Sequence, residues 1–204
     1  MANTTRPIKA LLMDADGVVQ YPRPGWLREM ARVGGPGFFR AATKVERHSL
    51  TGEVDLRPLI EELLQVRDLD IGFEDVLEIW CRIDPDERML ALVDQVRATG
   101  VVTALATNQQ SYRGSWMLAN LPYELSFDVQ FHSWQVGLAK PDPEFFTHIV
   151  NSLGLEPDEA VFVDDMRENV MGARAAGLHA VHFSMLSTYG ELRWQLRQLG
   201  VPGV

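Results

Sequence analysis

The chain has 204 residues, a formal net charge of −9 and one cysteine, Cys81. This length can hold one domain with a small insertion, and 46% hydrophobic with 23% charged residues is typical of a folded, soluble protein. The acidic balance excludes a broad nucleic-acid surface, because clustered lysines and arginines bind phosphate backbones. The lone cysteine, the lack of an apolar run near ~20 residues and the polar start MANTTRP together favour a cytoplasmic protein without a membrane partner.

The first predicted element is a buried strand over residues 8–13 that runs into Asp14. Alternate residues of a strand point the same way, so Asp14 and Asp16 are expected on one side, and Gly17 then permits a sharp turn. Taken alone, this stretch favours a strand that ends in an Asx turn, and only the later segments favour a functional site. Two carboxylates ~4 Å apart repel by about 4 kcal/mol at an effective dielectric of 20, so we expect a cation or a shared proton between them.

A helical insertion is predicted next. Residues 21–25 contain Pro22, Pro24 and Gly25 and predict a loop or hinge. Four segments between residues 26 and 80 then place apolar residues at helical spacing: WLREMARV, FFRAATKVERHSL, LRPLIEELLQV and FEDVLEIWCRI. The glycine-rich RVGGPGF between the first two predicts a helix–helix turn, because no strand precedes it and no Lys-Ser/Thr follows it as in a phosphate cradle.

From residue 85 onward, helices and strands alternate. We predict helices over 86–98, 111–120, 143–153, 167–176 and 189–199, and strands over 101–106, 127–131, 160–163 and 179–183. This order predicts an α/β fold with a Rossmann-like parallel sheet and helices on both faces, formed by residues 1–20 and 85–204 around an insertion of residues 21–84. The last helix and its tail are expected to pack on the sheet or on another subunit. Ligands of such sheets bind beyond the carboxyl ends of the strands.

Polar side chains follow the later strands at that edge. Thr107, Asn108 and Gln109 precede a helix start, where free backbone N–H groups favour an anion, although a helix N-cap by Thr107 or Asn108 fits equally well. Lys140 lies in the loop GLAKPDP, which two prolines stiffen. In the same loop, Asp142 is suited to cap the helix that follows.

Asp164 and Asp165 form a second carboxylate pair at the edge that holds Asp14 and Asp16. Four converging acids would repel any anion. A hard divalent cation with oxygen ligands resolves this conflict, and Mg²⁺ is typically held by one or two carboxylates together with phosphate oxygens. With Mg²⁺, Lys140 and the neighbouring helix start, the crevice becomes a phosphate site.

Together the four motifs resemble those of the haloacid dehalogenase (HAD) superfamily of hydrolases. They are DADGV at residues 14–18, the strand that ends in Thr107-Asn108, Lys140 in GLAKPDP, and VFVDDMREN at residues 161–169. Each motif is weak alone, but all four occur in the family's order. The insertion resembles the C1-type cap of that family. LAKPDPEFF and DDxxxN resemble its small sugar-phosphate and related phosphatases, including the phosphatase domain fused to some epoxide hydrolases.

The resemblance implies a role for each motif residue. Asp14 would attack phosphorus and become an aspartyl-phosphate, and Asp16 would protonate the leaving oxygen and then activate water. Thr107 and the backbone of Asn108 would bind phosphate oxygens. Lys140 would balance the charge of Asp14 and of the phosphoryl group.

The resemblance also implies a magnesium site. Mg²⁺ would be held by Asp14, the backbone carbonyl of Asp16 and Asp165, with Asp164 in an indirect role, and the roles of the last two could be exchanged. Asn169 would orient the neighbouring loop or the motif lysine.

These inferences predict a Mg²⁺-dependent phosphatase for a small soluble phosphate ester, with homo-oligomerisation left open. The second acid of the first motif argues against the dehalogenase members, which lack it and use no metal. A phosphomutase and a non-catalytic HAD-like binding or regulatory protein are the alternatives. Five weaker candidates for contacts to the leaving group are Tyr21, Arg23, Trp26, Arg47 and His48. Cys81 and the remaining histidines, which are His132, His148, His179 and His182, are expected to be structural.

Overall fold

The computed structural model describes residues 6–204, and residues 1–5, part of the polar start discussed above, lie outside the described residues. The strands are β1 Ala10–Met13, β2 Gln20–Pro22, β3 Ile83–Pro85, β4 Val102–Thr107, β5 Val129–His132, β6 Ala160–Asp164 and β7 His179–His182. The helices are α1 Trp26–Gly34, α2 Phe38–Glu46, α3 Leu56–Val66, α4 Phe73–Trp80, α5 Glu87–Arg97, α6 Ser111–Asn120, α7 Tyr123–Ser126, α8 Ser133–Val136, α9 Pro143–Leu153, α10 Arg167–Ala175 and α11 Tyr189–Gln198. Within this range no helix has the length and apolar character needed to cross a bilayer.

The central sheet has five strands in the order β5-β4-β1-β6-β7, and its neighbouring strands are parallel. Met13 pairs with Leu105 of β4 on one side and with Val163 of β6 on the other, so the carboxyl ends of these three strands lie at one edge. The chain moves outward from β1 through β4 to β5 and then returns to the other side of β1 as β6. The switch point of the sheet, where ligands bind in such folds, therefore lies between β1 and β6.

Alternation along the strands divides the core between the two faces of the sheet. In β1, Leu11 and Met13 face α5, α6 and α11, whereas Ala10 and Leu12 face α9 and α10. The predicted parallel sheet with helices on both faces is confirmed. The last helix packs on this sheet, where its Leu192 and Leu196 are fully buried in an apolar cluster that also contains Val93, Val96, Val181 and Val201.

The four helices of the insertion bury an apolar cluster of their own. Its largest members include Trp26, Phe38, Phe73 and Trp80. The predicted glycine turn between α1 and α2 is confirmed, because Gly35 and Gly37 both adopt positive φ there. The insertion is thus packed around side chains that do not belong to the two clusters on the sheet.

The insertion begins and ends in a two-stranded antiparallel ribbon, which takes in residues 21 and 22 of the predicted loop, whereas residues 23–25 are loop and turn as predicted. In this ribbon β2 pairs with β3, and Tyr21 lies opposite Asp84. Pro22 and Pro85 belong to the ribbon. A proline lacks the backbone N–H donor, but each strand of a two-stranded sheet has a free edge where that donor is not needed. The pairing joins residues about 60 positions apart, so no local pattern signals it.

Candidate active site

A buried lysine joins two of the predicted acids at the switch point. Lys140 Nζ lies 2.7 Å from Asp14 Oδ1 and 2.7 Å from Asp164 Oδ2, and 1% of its side chain is exposed. Burial alone would lower the pKa of Lys140, but the two carboxylates raise it, so the ammonium form persists. Burial raises the pKa of Asp14, and the charge of Lys140 opposes this rise. The nearby charge of Asp164 adds to it.

Asp164 is held by three different groups. Besides Lys140, the amide of Asn169 donates to both of its oxygens at 3.0 Å, and the backbone N–H of Met166 donates to Oδ1 at 2.7 Å. The side chain is fully buried. Asn169 therefore acts on Asp164, and through it on the motif lysine, which matches one of the two roles expected for this residue.

Asp165 lies against the turn that follows β1. A Cβ atom built on Gly17 would stand 2.6 Å from Asp165 Oδ2, and the φ of Gly17 is +79°, so this turn needs glycine for both reasons. Burial and the neighbouring charge of Asp164 raise the pKa of Asp165 to about 6. Three carboxylate oxygens, one from each of Asp14, Asp164 and Asp165, all lie within 4.8 Å of one another. This set of carboxylate oxygens suits Mg²⁺.

The side chain of Asp16 lies apart from this acidic cluster. Arg113 donates to both of its oxygens at 2.6 and 2.7 Å, and the amides of Gln20 and Gln109 each add a hydrogen bond of 2.8 Å. Burial alone would raise the pKa of Asp16, but these donors lower it to about 2. We expected one cation or proton between Asp14 and Asp16; instead each carboxylate has its own basic partner.

Sequence reasoning missed Arg113. It lies inside a helix that was predicted correctly, where an arginine is usually exposed, yet only 5% of this residue is accessible. Its side chain donates from Nη1 to Gln109 Oε1 at 2.7 Å, but Gln109 precedes the helix, so helical spacing did not signal this contact.

Thr107 and Asn108 stand where they were predicted, at the end of β4. Thr107 is buried, and its Oγ1 accepts a hydrogen bond from Gln109 Nε2 at 3.2 Å. The Asn108 side chain pairs with the backbone of Lys140, donating to its carbonyl at 2.8 Å and accepting from its N–H at 2.9 Å. It thereby fixes the lysine loop. The predicted N-cap by Thr107 or Asn108 is wrong, because Gln110 caps α6.

Several N–H groups at the start of α6 are already occupied. The Gln110 side chain accepts hydrogen bonds from the backbone N–H groups of Tyr112 and Arg113, and the N–H of Gln109 donates to Ser133 Oγ. The expectation of free donors for an anion therefore does not hold at these three positions. Asp142 caps α9 as predicted, with Pro143 at the first turn.

The insertion touches the site through α6. Arg113 Nε donates to the carbonyl of Trp80 at 3.1 Å, and the Tyr112 hydroxyl donates to Asp55 at 3.0 Å. Glu46, which is half-buried at the end of α2, has its pKa raised to about 7 by burial. The charge of Arg113 opposes this rise in the pKa of Glu46.

Of the five weaker candidates, Trp26 packs in the insertion core, where its indole N–H donates to the carbonyl of Ile79 at 2.5 Å. The others keep accessible surface: Tyr21 donates to the Gly17 carbonyl, Arg23 pairs with Asp84, and Arg47 and His48 are exposed. Trp26 is therefore a packing residue of the insertion, and its burial argues against the weaker alternative of a contact to the leaving group.

Cys81 and His132 are buried, as expected for structural residues. Burial raises the pKa of the Cys81 thiol to about 11 and lowers the pKa of His132 to about 4. At neutral pH the thiol is therefore protonated and the imidazole is neutral.

Comparison with known proteins assigns the family. The family described as "Hydrolase: haloacid dehalogenase-like hydrolase" matches residues 8–177. The chain belongs to this family. A sesquiterpene phosphatase of Aspergillus oryzae is 36% identical to this HAD-like hydrolase over 111 residues, which cover 53% of this chain and 56% of that protein. This chain thus matches about half the length of that relative.

Two further relatives match most of this chain. A phosphorylated carbohydrates phosphatase of Thermotoga maritima is 24% identical over 185 residues, covering 86% of this chain and 84% of that protein. Bifunctional epoxide hydrolase 2 of Sus scrofa is 28% identical over 201 residues, covering 85% of this chain and 36% of that protein.

Solved structures confirm the predicted Rossmann-like α/β fold. A HAD family enzyme from Bacteroides thetaiotaomicron superposes with a TM-score of 0.78 at 20% identity, covering 92% of this HAD-like hydrolase and 99% of that chain. Another crystal of that enzyme holds magnesium and inorganic phosphate. A HAD phosphatase from Thermococcus onnurineus gives a TM-score of 0.70 at 23% identity, covering 97% and 100% of the two chains.

Proposed function

We propose that this HAD-like hydrolase is a Mg²⁺-dependent phosphomonoesterase that acts on a small soluble phosphate ester through Asp14. The observation that carries the proposal is the position of Lys140, which bridges Asp14 and Asp164 at the switch point of the sheet, with Asp165 beside them. Three carboxylates around one ammonium leave an excess of negative charge. A divalent cation fits this excess and the oxygen donors that surround it.

Asp14, Asp165 and the backbone carbonyl of Asp16 would hold the metal, and Asp164 would act indirectly because its hydrogen bonds are already made. When bound, Mg²⁺ supplies positive charge that draws phosphate oxygens into the crevice and stabilises the charge of the transition state. Lys140 would add a second positive charge beside Asp14.

In the proposed reaction, an oxygen of Asp14 bonds to phosphorus while the ester P–O bond breaks. The leaving oxygen takes a proton from Asp16, which yields the alcohol and an aspartyl-phosphate. Asp16 then removes a proton from water as the water oxygen attacks phosphorus. The P–O bond to Asp14 breaks, and inorganic phosphate leaves. Thr107 and the backbone of Asn108 would bind phosphate oxygens.

We also propose that residues 21–84 act as a C1-type cap over this site. The separate apolar cluster of the insertion and its contacts through Tyr112 and Arg113 support this role. Such a cap would supply contacts to the leaving group and exclude water.

The names of the relatives suggest two chemical classes of substrate, sesquiterpene and carbohydrate phosphates. A screen for the natural substrate therefore includes phosphorylated sugars and prenyl phosphates side by side. A hydrophobic leaving group needs apolar contacts from the cap, whereas a hydroxyl-rich one needs hydrogen-bond partners. A clear preference for one type of ester therefore identifies the substrate class.

The decisive experiment measures release of inorganic phosphate from an aryl phosphate, with Mg²⁺ or with EDTA. We expect the wild type to need Mg²⁺, Asp14→Asn to lose turnover, and Asp94→Asn, a change at an exposed position of α5, to keep it. Equal turnover in the Asp14 variant contradicts the proposal. A folded wild type that binds Mg²⁺ but turns over no ester in the panel also contradicts it, and would favour a mutase or a binding role.

A further inference from the structure

We propose that Arg113 is a positioning residue that fixes the carboxylate of Asp16 and makes its orientation depend on the helical insertion. This inference rests on the proposed function, in which Asp16 exchanges a proton with the leaving oxygen and with water. Arg113 lies outside the four motifs, and its contacts indicate its role.

The contacts of Asp16 define one orientation of its carboxylate. Each oxygen accepts one hydrogen bond from Arg113 and one from a glutamine amide, Gln20 for Oδ1 and Gln109 for Oδ2. A two-pronged bond from a planar guanidinium fixes both the position and the plane of a carboxylate. Nevertheless 44% of the Asp16 side chain remains accessible, so a substrate can reach it.

The two glutamines are themselves fixed, so the orientation does not depend on freely rotating groups. Gln20 is fully buried, and its Oε1 accepts a hydrogen bond from the Tyr123 hydroxyl at 2.7 Å. Gln109 Oε1 accepts from Arg113 Nη1 at 2.7 Å. Each amide therefore has to turn its NH₂ group toward Asp16, and Arg113 is the group that contacts both Asp16 and Gln109.

The remaining nitrogen of the guanidinium connects this network to the insertion. Arg113 Nε donates to the carbonyl of Trp80, the last residue of α4, which leads into the ribbon strand β3. The charge of Arg113 also acts on Glu46 in α2. A movement of the insertion relative to the sheet would thus shift or release the group that orients Asp16.

Release of the Asp16 carboxylate from Arg113 would allow Asp16 to take part in proton transfer. An ionised carboxylate only accepts hydrogen bonds, and here each oxygen already accepts two. One of these contacts has to open before Asp16 can carry the proton that goes to the leaving oxygen. The Arg113 contact is the one whose guanidinium is bonded to the insertion.

A double-mutant cycle on an alkyl phosphate tests whether Arg113 acts through Asp16. Asp16→Asn, Arg113→Met and the double variant are compared with the wild type, and Arg97→Met, which removes a half-exposed ion pair with Asp128, is the control. We expect each single variant to lose at least about 100-fold in kcat/KM, the range of general acid catalysis. The double variant should lose no more than roughly threefold beyond Asp16→Asn, because the two residues act as one unit.

An aryl phosphate sharpens the cycle, because its leaving group needs little protonation. Arg113→Met should lose about tenfold or less in kcat/KM on this ester, because kcat/KM covers only the steps up to release of the leaving group and leaves out the later attack of water. Arg113→Lys, which keeps the charge but not the two-pronged bond, should lie between the wild type and Arg113→Met on the alkyl ester. The proposal would be overturned in favour of a structural role by either of two results. One is a loss in the double variant that equals the product of the two single losses, and the other is an equal loss for Arg113→Met on both esters.

Hydrogen exchange tests the connection to the insertion without any turnover. In Arg113→Lys and Arg113→Met, amides in segments 14–20 and 79–84 should exchange roughly tenfold faster, whereas Arg97→Met should leave both segments unchanged. Unchanged exchange in the Arg113 variants overturns the connection. If the wild type hydrolyses no ester, the proposed function fails by itself, and the exchange result still decides whether Arg113 links Asp16 to the insertion.

Discussion

Two carboxylates only two positions apart meet opposite surroundings in this protein. The lysine half of the site consists of Asp14, Lys140, Asp164 and Asp165, and the arginine half consists of Asp16, Arg113, Gln20 and Gln109. Burial raises the pKa of Asp14, whereas four N–H donors lower the pKa of Asp16 to about 2. Sequence spacing places the two acids, but their partners decide what each can do.

The two halves also differ in what supports them. The lysine half stands on the ends of β1 and β6, which are hydrogen-bonded neighbours in the centre of the sheet. The residues of the arginine half come from β2, from α6 and from loops, including the loop after β4. Through Arg113 this half contacts the insertion at the carbonyl of Trp80. We infer that the lysine half is preorganised, whereas the arginine half can respond to the insertion.

The largest expected effect comes from breaking the lysine half. Lys140→Met leaves Asp14 and Asp164 buried without their cation, so we expect a loss of about 3–5 kcal/mol in the free energy of unfolding. The control Arg6→Met removes an exposed ion pair with Asp158 and should leave the free energy of unfolding almost unchanged. Urea unfolding at pH 7 measures both. Equal losses in the two variants would show that the lysine half is not the rigid half.

A smaller effect is expected where the insertion faces the arginine half. The pKa of Glu46 is raised from 4.5 to about 7, so its folded-state stabilisation is complete below pH 4.5 and is lost as the pH rises through 7. At pH 8 the free energy of unfolding of Glu46→Gln should therefore exceed that of the wild type by roughly 3 kcal/mol, and the two should be equal below pH 4.5.

The exposed Glu62→Gln on α3 is the matched control for Glu46→Gln and should show no such pH dependence. A constant difference between the Glu46 variant and the wild type from pH 4 to 8 would mean that burial does not raise the pKa of this carboxyl group. The expected convergence at low pH would show that Glu46 titrates with a raised pKa in the folded insertion.

The sequence predicts the lysine half far better than the arginine half. Asp14 and Asp164 lie at the ends of recognisable strands, and Lys140 lies in a loop stiffened by prolines. A parallel sheet has to bring the strand ends together. Arg113 lies inside α6, and its side chain reaches Asp16 only because of how that helix packs on the sheet. Helical periodicity gives the element but not this long-range contact.

The ribbon of β2 and β3 escaped prediction for a related reason. Its strands have three residues each, contain prolines and pair across the whole insertion. Short strands without alternation carry no periodic signal, and proline ordinarily argues against a strand. Elements held by local patterns could therefore be predicted, whereas those held by distant partners could not.

The smallest expected effect separates the turn of the lysine half from an ordinary glycine turn. Gly17→Ala meets both a φ of +79° and the carboxylate of Asp165, whereas Gly100→Ala meets a φ of +89° with open space around it. Both variants should lose about 1 kcal/mol from the strained φ, and Gly17→Ala should lose roughly 1 kcal/mol more because Asp165 has to move. Urea unfolding gives the difference, and phosphate release from an aryl ester should fall only in the Gly17 variant. Matching losses of stability with full activity in both would mean that Asp165 can shift freely, and the rigid character assigned to the lysine half would then be confined to Asp14, Lys140 and Asp164.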